Sequence, residues 1–483
     1  MRGDFTRDSF DRHHHYTRVL MQQGRVQLDA DWNEQGAIAQ HYARTLAADI
    51  VGPYGGPAAA CGFEMITDPS VVDSLTDELG LPLPQARVEE LKGRIGRGDF
   101  LIGLGRYYVD GLLCESDVPM TYSEQVGYPF DDDSSLEKLA GVNQVLVYLD
   151  VWERQVTGTE SADILDVALG GIDTATRAQL VWQVKVLRGE GPLTCADHLT
   201  LSRPRLPLLR ARATQPQEQL DACIIDPEAR YRGAENQLYR VEIHRGGPAR
   251  GVGEVSGGAT FKWSRENGSV VFPVLQYAED GSAGETVLEL AGLGRDRRLG
   301  LDHGDWVELV DDELTLRGGT EALRAVERID PNALTVTLRG LGAGDTGQRP
   351  ELHPLVRRWD HDASDPDTSD EGALLVTETG DTEGGWIALE DGVMIQFPAS
   401  VVDGSPHVYR SGDYWLVPAR TATGNVIWPQ TGVGGNRMPA ARHPSGVEHH
   451  YAPLAVASLG ANGSWTVESP DCRRLFTVLP SVT

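Results

Sequence analysis

Three adjacent histidines, His13-His14-His15, and a second pair, His449-His450, are the first residues able to bind a metal. Neighbouring side chains on an extended segment point to opposite faces, so at most two of the three share an ion unless the second pair joins them. The alternative is a polar interface segment whose rings pack on aromatics such as Tyr16. Trp263, Arg265, Glu266 and Asn267 form a second dense group. Trp with Asn and Glu can grip a sugar, and Glu266 with a distant carboxylate would make a glycosidase pair. Arg with Trp equally anchors a protein interface. The plainest reading is a strand with Phe261 and Trp263 inward and Lys262 and Arg265 in solvent. Asp362, Asp365, Asp367 and Asp370, and the run Asp131-Asp132-Asp133, offer calcium oxygens without EF-hand spacing. Arg2-Gly3-Asp4 matches the integrin tripeptide, but three residues carry little information. There is no GxSxG elbow, HExxH, phosphate loop or GxGxxG opening a helix, and Gly103-Leu104-Gly105 sits inside a hairpin. Binding is therefore favoured over turnover, and no catalytic residue, cofactor or metal is assigned.

The elements that would position these residues are bounded by composition. The 483 residues suffice for about three domains. A net charge of −28 argues against nucleic acid and against anionic membranes as partners. No apolar run reaches membrane-spanning length, and the N-terminus lacks the apolar core of a signal peptide. Cys61, Cys114, Cys195, Cys223 and Cys472 are scattered and odd in number, so no disulfide framework or zinc site is expected, and assembly in a reducing cytosol is the simplest reading. Fifty-five glycines and 27 prolines favour turns and short strands over long helices.

Residues 2–35 read as an attachment arm for a partner subunit or for later domains of the same chain, removable without unfolding. Its large side chains, Phe5, Phe10, Tyr16, Leu20, Met21 and Trp32, need something to pack against. Asp31 and Glu34 form a capping box for a helix on which Ile38, Tyr42 and Leu46 recur on one face, and which stops near Gly52-Pro53. A shorter helix is expected over 84–92. Residues 99–115 read as a hairpin turning at Asp110-Gly111. Residues 143–157 read as a central strand, and 179–187 as a second. Residues 201–227 are expected to run across the surface. Short strands between 246 and 358 suggest a small β-barrel, and 412–420 a strand with exposed aromatics. The predicted fold is mainly β with a few helices and multidomain: 1–60 docking arm and helix, 61–245 β-rich core, 246–358 inserted barrel, 359–483 C-terminal β region.

Several stretches resemble one family along nearly the whole chain: GDFTRDSFDRHHHYTRVLMQQGRVQLDADWNEQ, YLDVWERQVT, TRAQLVWQVKVL, LYRVEIH, ATFKWSRENGSVV, SGDYWLVPARTATGNVIWP and GVEHHYAPLA. They are similar to an uncharacterised family encoded with extracellular contractile injection systems, the phage-tail-like particles. In some relatives a similar N-terminal region precedes a β-helix, which this chain lacks. The resemblance implies a non-enzymatic structural component, a baseplate- or fibre-associated adaptor. Phe5, Phe10, Tyr16, Arg18 and Trp32 would dock on the particle, and Trp263, Arg265, Tyr414 and Trp415 would meet neighbours or a cell-surface target. The implied partners are baseplate, spike or fibre subunits and a second copy, without nucleic acid or membrane insertion. The implied location is cytoplasmic at assembly, then on a particle. The rivals are a tail-spike-like carbohydrate-active enzyme or receptor-binding protein, and a cargo or toxin in the tube.

Overall fold

The run VLVYLDVWERQV carries apolar side chains on both faces, which suits a strand covered on both sides. In the computed structural model it is the strand Val145–Val156, inside a four-stranded antiparallel sheet. Arg177–Arg188 lies on one side, in register from Val145↔Arg188 to Val156↔Arg177, and His450–Leu459 on the other. The structure describes residues 1–477 apart from 78–79, 132, 190, 203–205, 214–229, 251–257, 281–283, 297, 343, 362–367, 381–383, 400–406, 433–436, 461–462 and 469–470. A second four-stranded sheet joins Leu475–Phe476, Tyr54–Pro57, Gly105–Val109 and Leu112–Ser116. Its hairpin turns at Asp110-Gly111, both with positive φ, as a two-residue turn requires. Phe63, Phe100, Tyr107, Tyr122, Leu149 and Leu454 fill the core of this first unit.

The second unit packs a five-stranded sheet around Gln237–Ile243, Thr260–Ser264 and Tyr414–Arg420 against a smaller one around Arg210–Ala213 and Val393–Pro398. Arg210–Ala213 was expected to cross the surface. It is a strand with Ala211 buried, because it pairs in full register with Val393–Pro398. Of the remainder, Leu206 is exposed and Leu209 buried, and 203–205 and 214–227 fall outside the described residues. The third unit is a closed six-stranded barrel of Val271–Asp280, Glu285–Leu290, Thr335–Arg339, Arg324–Asp330, Trp306–Val310 and Leu355–Trp359. Bulges at Val274/Gln276 and Val326/Arg328 add the local bend that closure needs.

The chain is thus mainly β with a few helices, and its units are nested rather than consecutive. The barrel interrupts the second unit between Ser264 and Leu374, and the second unit interrupts the first between Arg188 and His450. The expected absence of disulfides needs correction. Cys195 and Cys472 are bonded, with Cα atoms 5.5 Å apart across 277 positions. No spacing motif marks the pair, since nesting alone brings the two ends of the first unit together. Cys61 and Cys114 are free thiols, and Cys223 lies outside the described residues.

The N-terminal helix spans Asp29–Val51 and ends at Gly52, with φ 91°. The expected Asp31/Glu34 capping box is absent: Leu28 precedes the helix without a side-chain cap. The acids bond the arm instead. Asp29 accepts from the Thr6 amide at 2.8 Å, and Glu34 from the Ser9 hydroxyl at 2.6 Å. The second helix is Gln85–Ile95. No described helix is long and apolar enough to cross a membrane.

Candidate functional site

On the strand Gln237–Ile243 the odd positions Tyr239, Val241 and Ile243 enter the core of the second unit, so Arg240 and Glu242 point the other way. Glu242 is registered with Lys262 on one neighbour and Tyr414 on the other. The barrel covers this charged face. Lys262 Nζ lies 2.6 Å from Glu308 of the barrel and 3.6 Å from Glu242, and Trp359 Nε1 donates to Glu308 at 3.1 Å.

The start of the chain completes this network. Arg2 Nε donates to Glu242 Oε2 at 3.2 Å and Nη2 to Oε1 at 2.5 Å. Gly3 N donates to the Asn267 carbonyl at 3.2 Å, and Asn267 Nδ2 donates back to Gly3 O at 2.8 Å. Burial would raise the Glu242 carboxyl, but Arg2, Arg240 and Lys262 hold it well below the usual range. Glu308, equally buried, is held down to about 2, chiefly by Lys262 and Arg2. His244 is pushed down to about 3 by burial and by Lys262.

The arm then lies along the helix. The Arg420 guanidinium donates to Thr6 O at 2.8 Å, Val19 N donates to Gln35 Oε1 at 2.8 Å, and the Phe10 ring meets His41 at 5.7 Å. The helix rests on the first unit through Arg44–Glu153 at 2.6 Å and through Gly111, where a Cβ would run into the Arg44 carbonyl.

Beyond these anchors the segment turns apolar side chains outward. Leu20 is 70% exposed, Val26 82%, Trp32 82% and Ile50 72%, and Tyr16, Met21, Tyr42 and Leu46 are each more than half exposed. Of the three residues that recur at helical spacing, Ile38 is buried, while Tyr42 and Leu46 face solvent. Isolated monomers rarely leave so much contiguous apolar surface uncovered. Val26, Leu46 and Ile50 were not among the residues expected to dock, although their hydrophobicity in so polar a segment was the available signal.

The expected site residues divide accordingly. Tyr16, Arg18 and Trp32 are exposed on this face, while Phe5 and Phe10 are half-buried against the chain itself. The remaining four are corrected. Trp263 and Trp415 lie in the second core, Trp263 6.0 Å from Tyr239 and Trp415 donating to Arg442 O at 2.8 Å. Tyr414 is buried, with the Arg240 guanidinium 3.6 Å from its ring centre. Arg265 makes two 2.8 Å hydrogen bonds to Glu390. Trp263 shares with Phe261 the inward parity of its strand, and Lys262, placed in solvent by the same parity, is buried under the barrel.

Arg2, Trp152, Glu153, Arg240, Glu242 and Glu266 help line a crevice of about 1150 Å³ between the units. Burial holds the Glu266 carboxyl above its ordinary range against the nearby Arg298. His13, His14 and His15 are exposed, whereas His449 pairs with Asp150 at 2.7 Å and His450 with Asp110 at 2.9 Å. Among the described residues no three His, Cys, Asp or Glu side chains converge on a metal position. Asp132, Asp362, Asp365 and Asp367 lie outside the described residues. Arg2 of the Arg-Gly-Asp tripeptide is tied to Glu242. Deleting the whole arm would therefore disturb a buried ionic network, contrary to the expectation that it detaches cleanly.

A family of unknown function, DUF6519, matches residues 1–197 and 192–478. No curated protein and no solved structure matches the chain.

Proposed function

The chain belongs to the DUF6519 family, and we propose that it is a structural subunit of a phage-tail-like contractile particle, attached through its N-terminal segment. The observation that carries this reading is the contrast within residues 1–51. The first three are tied into the junction of the units and Thr6 to Phe10 lie on the helix, while Tyr16 to Ile50 offer apolar side chains that the described residues leave uncovered. Covering Leu20, Met21 or Val26, already partly shielded, is worth up to about 1.5–3 kcal/mol each, against the entropic cost of association. The partner is a baseplate, spike or fibre subunit, and the action is binding. The Cys195–Cys472 bond suits a protein that works outside a reducing cytosol, as a released particle does after assembly in the cytoplasm.

The test is a Leu20→Ser/Met21→Ser/Val26→Ser variant, changed only at exposed positions. Its occupancy on purified particles should fall at least about tenfold, equivalent to 1.4 kcal/mol, with its thermal midpoint unchanged. Full occupancy would contradict the docking role.

A further inference from the structure

The outward face of the N-terminal helix has a periodicity that ordinary surface helices lack. Trp32, Gly36, Ala39, Ala43, Leu46 and Ile50 follow one another at spacings of four, three, four, three and four. This is the seam of a coiled coil, in which apolar residues recur every 3.5 positions. All six are exposed, and a Cβ added at Gly36 would meet nothing within 4 Å. The seam runs about 27 Å along the helix at 1.5 Å per residue.

We propose that this seam is occupied by the same helix of a second copy, antiparallel, about a two-fold axis between Ala39 and Ala43. This deepens the docking reading by naming the occupant of one part of that surface, and leaves Tyr16 to Val26 for the particle. Two features select a second copy. The first is size. A two-fold axis at that point sets Ala39 against Ala43, Gly36 against Leu46 and Trp32 against Ile50. Leucine thus meets glycine, and the alanines at the centre let the backbones approach to the short end of the 8–10 Å range for packed helices. An isologous interface must be self-complementary in this way.

The second feature is charge. A chain of net charge −28 repels its own copies. Residues 1–51 are close to balanced, with six arginines against seven acids. Beside the seam stand Asn33, Gln35, Gln40, Tyr42, Ala47 and Asp49, and the same axis sets Asp49 opposite Asn33 rather than another acid. This face therefore meets a copy of itself without acid set against acid beside the seam.

The experiment is sedimentation equilibrium of the full 52.5 kDa chain, with Leu46→Glu and Ala43→Glu as variants. The wild type should form a concentration-dependent dimer that each variant weakens at least tenfold with unchanged far-UV circular dichroism. A chain that stays monomeric up to about 100 μM, a Kd weaker than −5.5 kcal/mol of binding, overturns the proposal, as does a dimer indifferent to both variants. Orientation is read by cysteine crosslinking. Ala39→Cys mixed with Ala43→Cys should link faster than either alone, whereas faster self-linking of each would overturn the antiparallel seam. A variant-sensitive dimer that never joins particles supports the seam and counts against the docking reading. A monomer that still joins particles does the reverse.

Discussion

Arg2 and Glu242, 240 positions apart in the chain, meet at 2.5 Å where the second unit abuts the barrel. The N-terminal segment is therefore anchored at its start by the half-buried Arg2 paired with a buried carboxylate. Lys262 and Glu308 extend the same network into the barrel, so one cluster joins the arm, the second unit and the inserted unit.

Glu242→Gln should destabilise the protein by roughly 3–5 kcal/mol, because the buried Arg240 and Lys262 and the half-buried Arg2 would be left with too little opposite charge. Arg2→Met should cost less, since Arg240 and Lys262 still face Glu242. Urea denaturation of both variants measures the difference.

Acid should weaken the fold in two stages. His244 has its ordinary value of 6.5 in the unfolded chain and about 3 in the folded one. Unfolding therefore takes up a proton between those values, and stability falls as pH drops below 6.5. Glu308 is depressed from 4.5 to about 2, so its contribution, complete above 4.5, is lost as pH falls through that window. Thermal midpoints from pH 8 to pH 3 should decline in this order, and His244→Asn should flatten the decline above pH 4.5.

Gly111→Ala should loosen the N-terminal helix. Gly111 holds φ 78° in the hairpin turn and lies directly under the Arg44 carbonyl. Left-handed strain and the clash together should cost on the order of 1–3 kcal/mol. Hydrogen exchange of the helix amides should quicken more than that of Val145–Val156.

Cys195→Ser/Cys472→Ser should lower stability by about 2–5 kcal/mol. Dithiothreitol should do the same to the wild type and leave the variant unaffected. Equal midpoints with and without reductant would show that the bond contributes nothing.

The hairpin at Asp110-Gly111, the central strand at Val145–Val156 and the barrel strands were legible because turn chemistry and alternation are local signals. What covers an alternating strand is not local. Lys262 sits on the outward side of its strand, and only the barrel's insertion makes that side an interior. The dense group around Trp263 resembled an interface by composition, yet its parity with Phe261 already placed it in a core. Ile38, Tyr42 and Leu46 were grouped on one face, although the seam from Trp32 to Ile50 was equally readable. The helix rests on the hairpin at Gly111, and no local rule announces that contact.

The most direct test of the docking role is a cryo-EM reconstruction of the purified particle, asking where residues 16–50 lie. The account predicts symmetric density for this chain, with Tyr16, Leu20, Met21 and Trp32 covered by a baseplate, spike or fibre subunit or by a second copy. Density confined to the tube lumen, or this surface left in solvent while another face makes the contact, would contradict it.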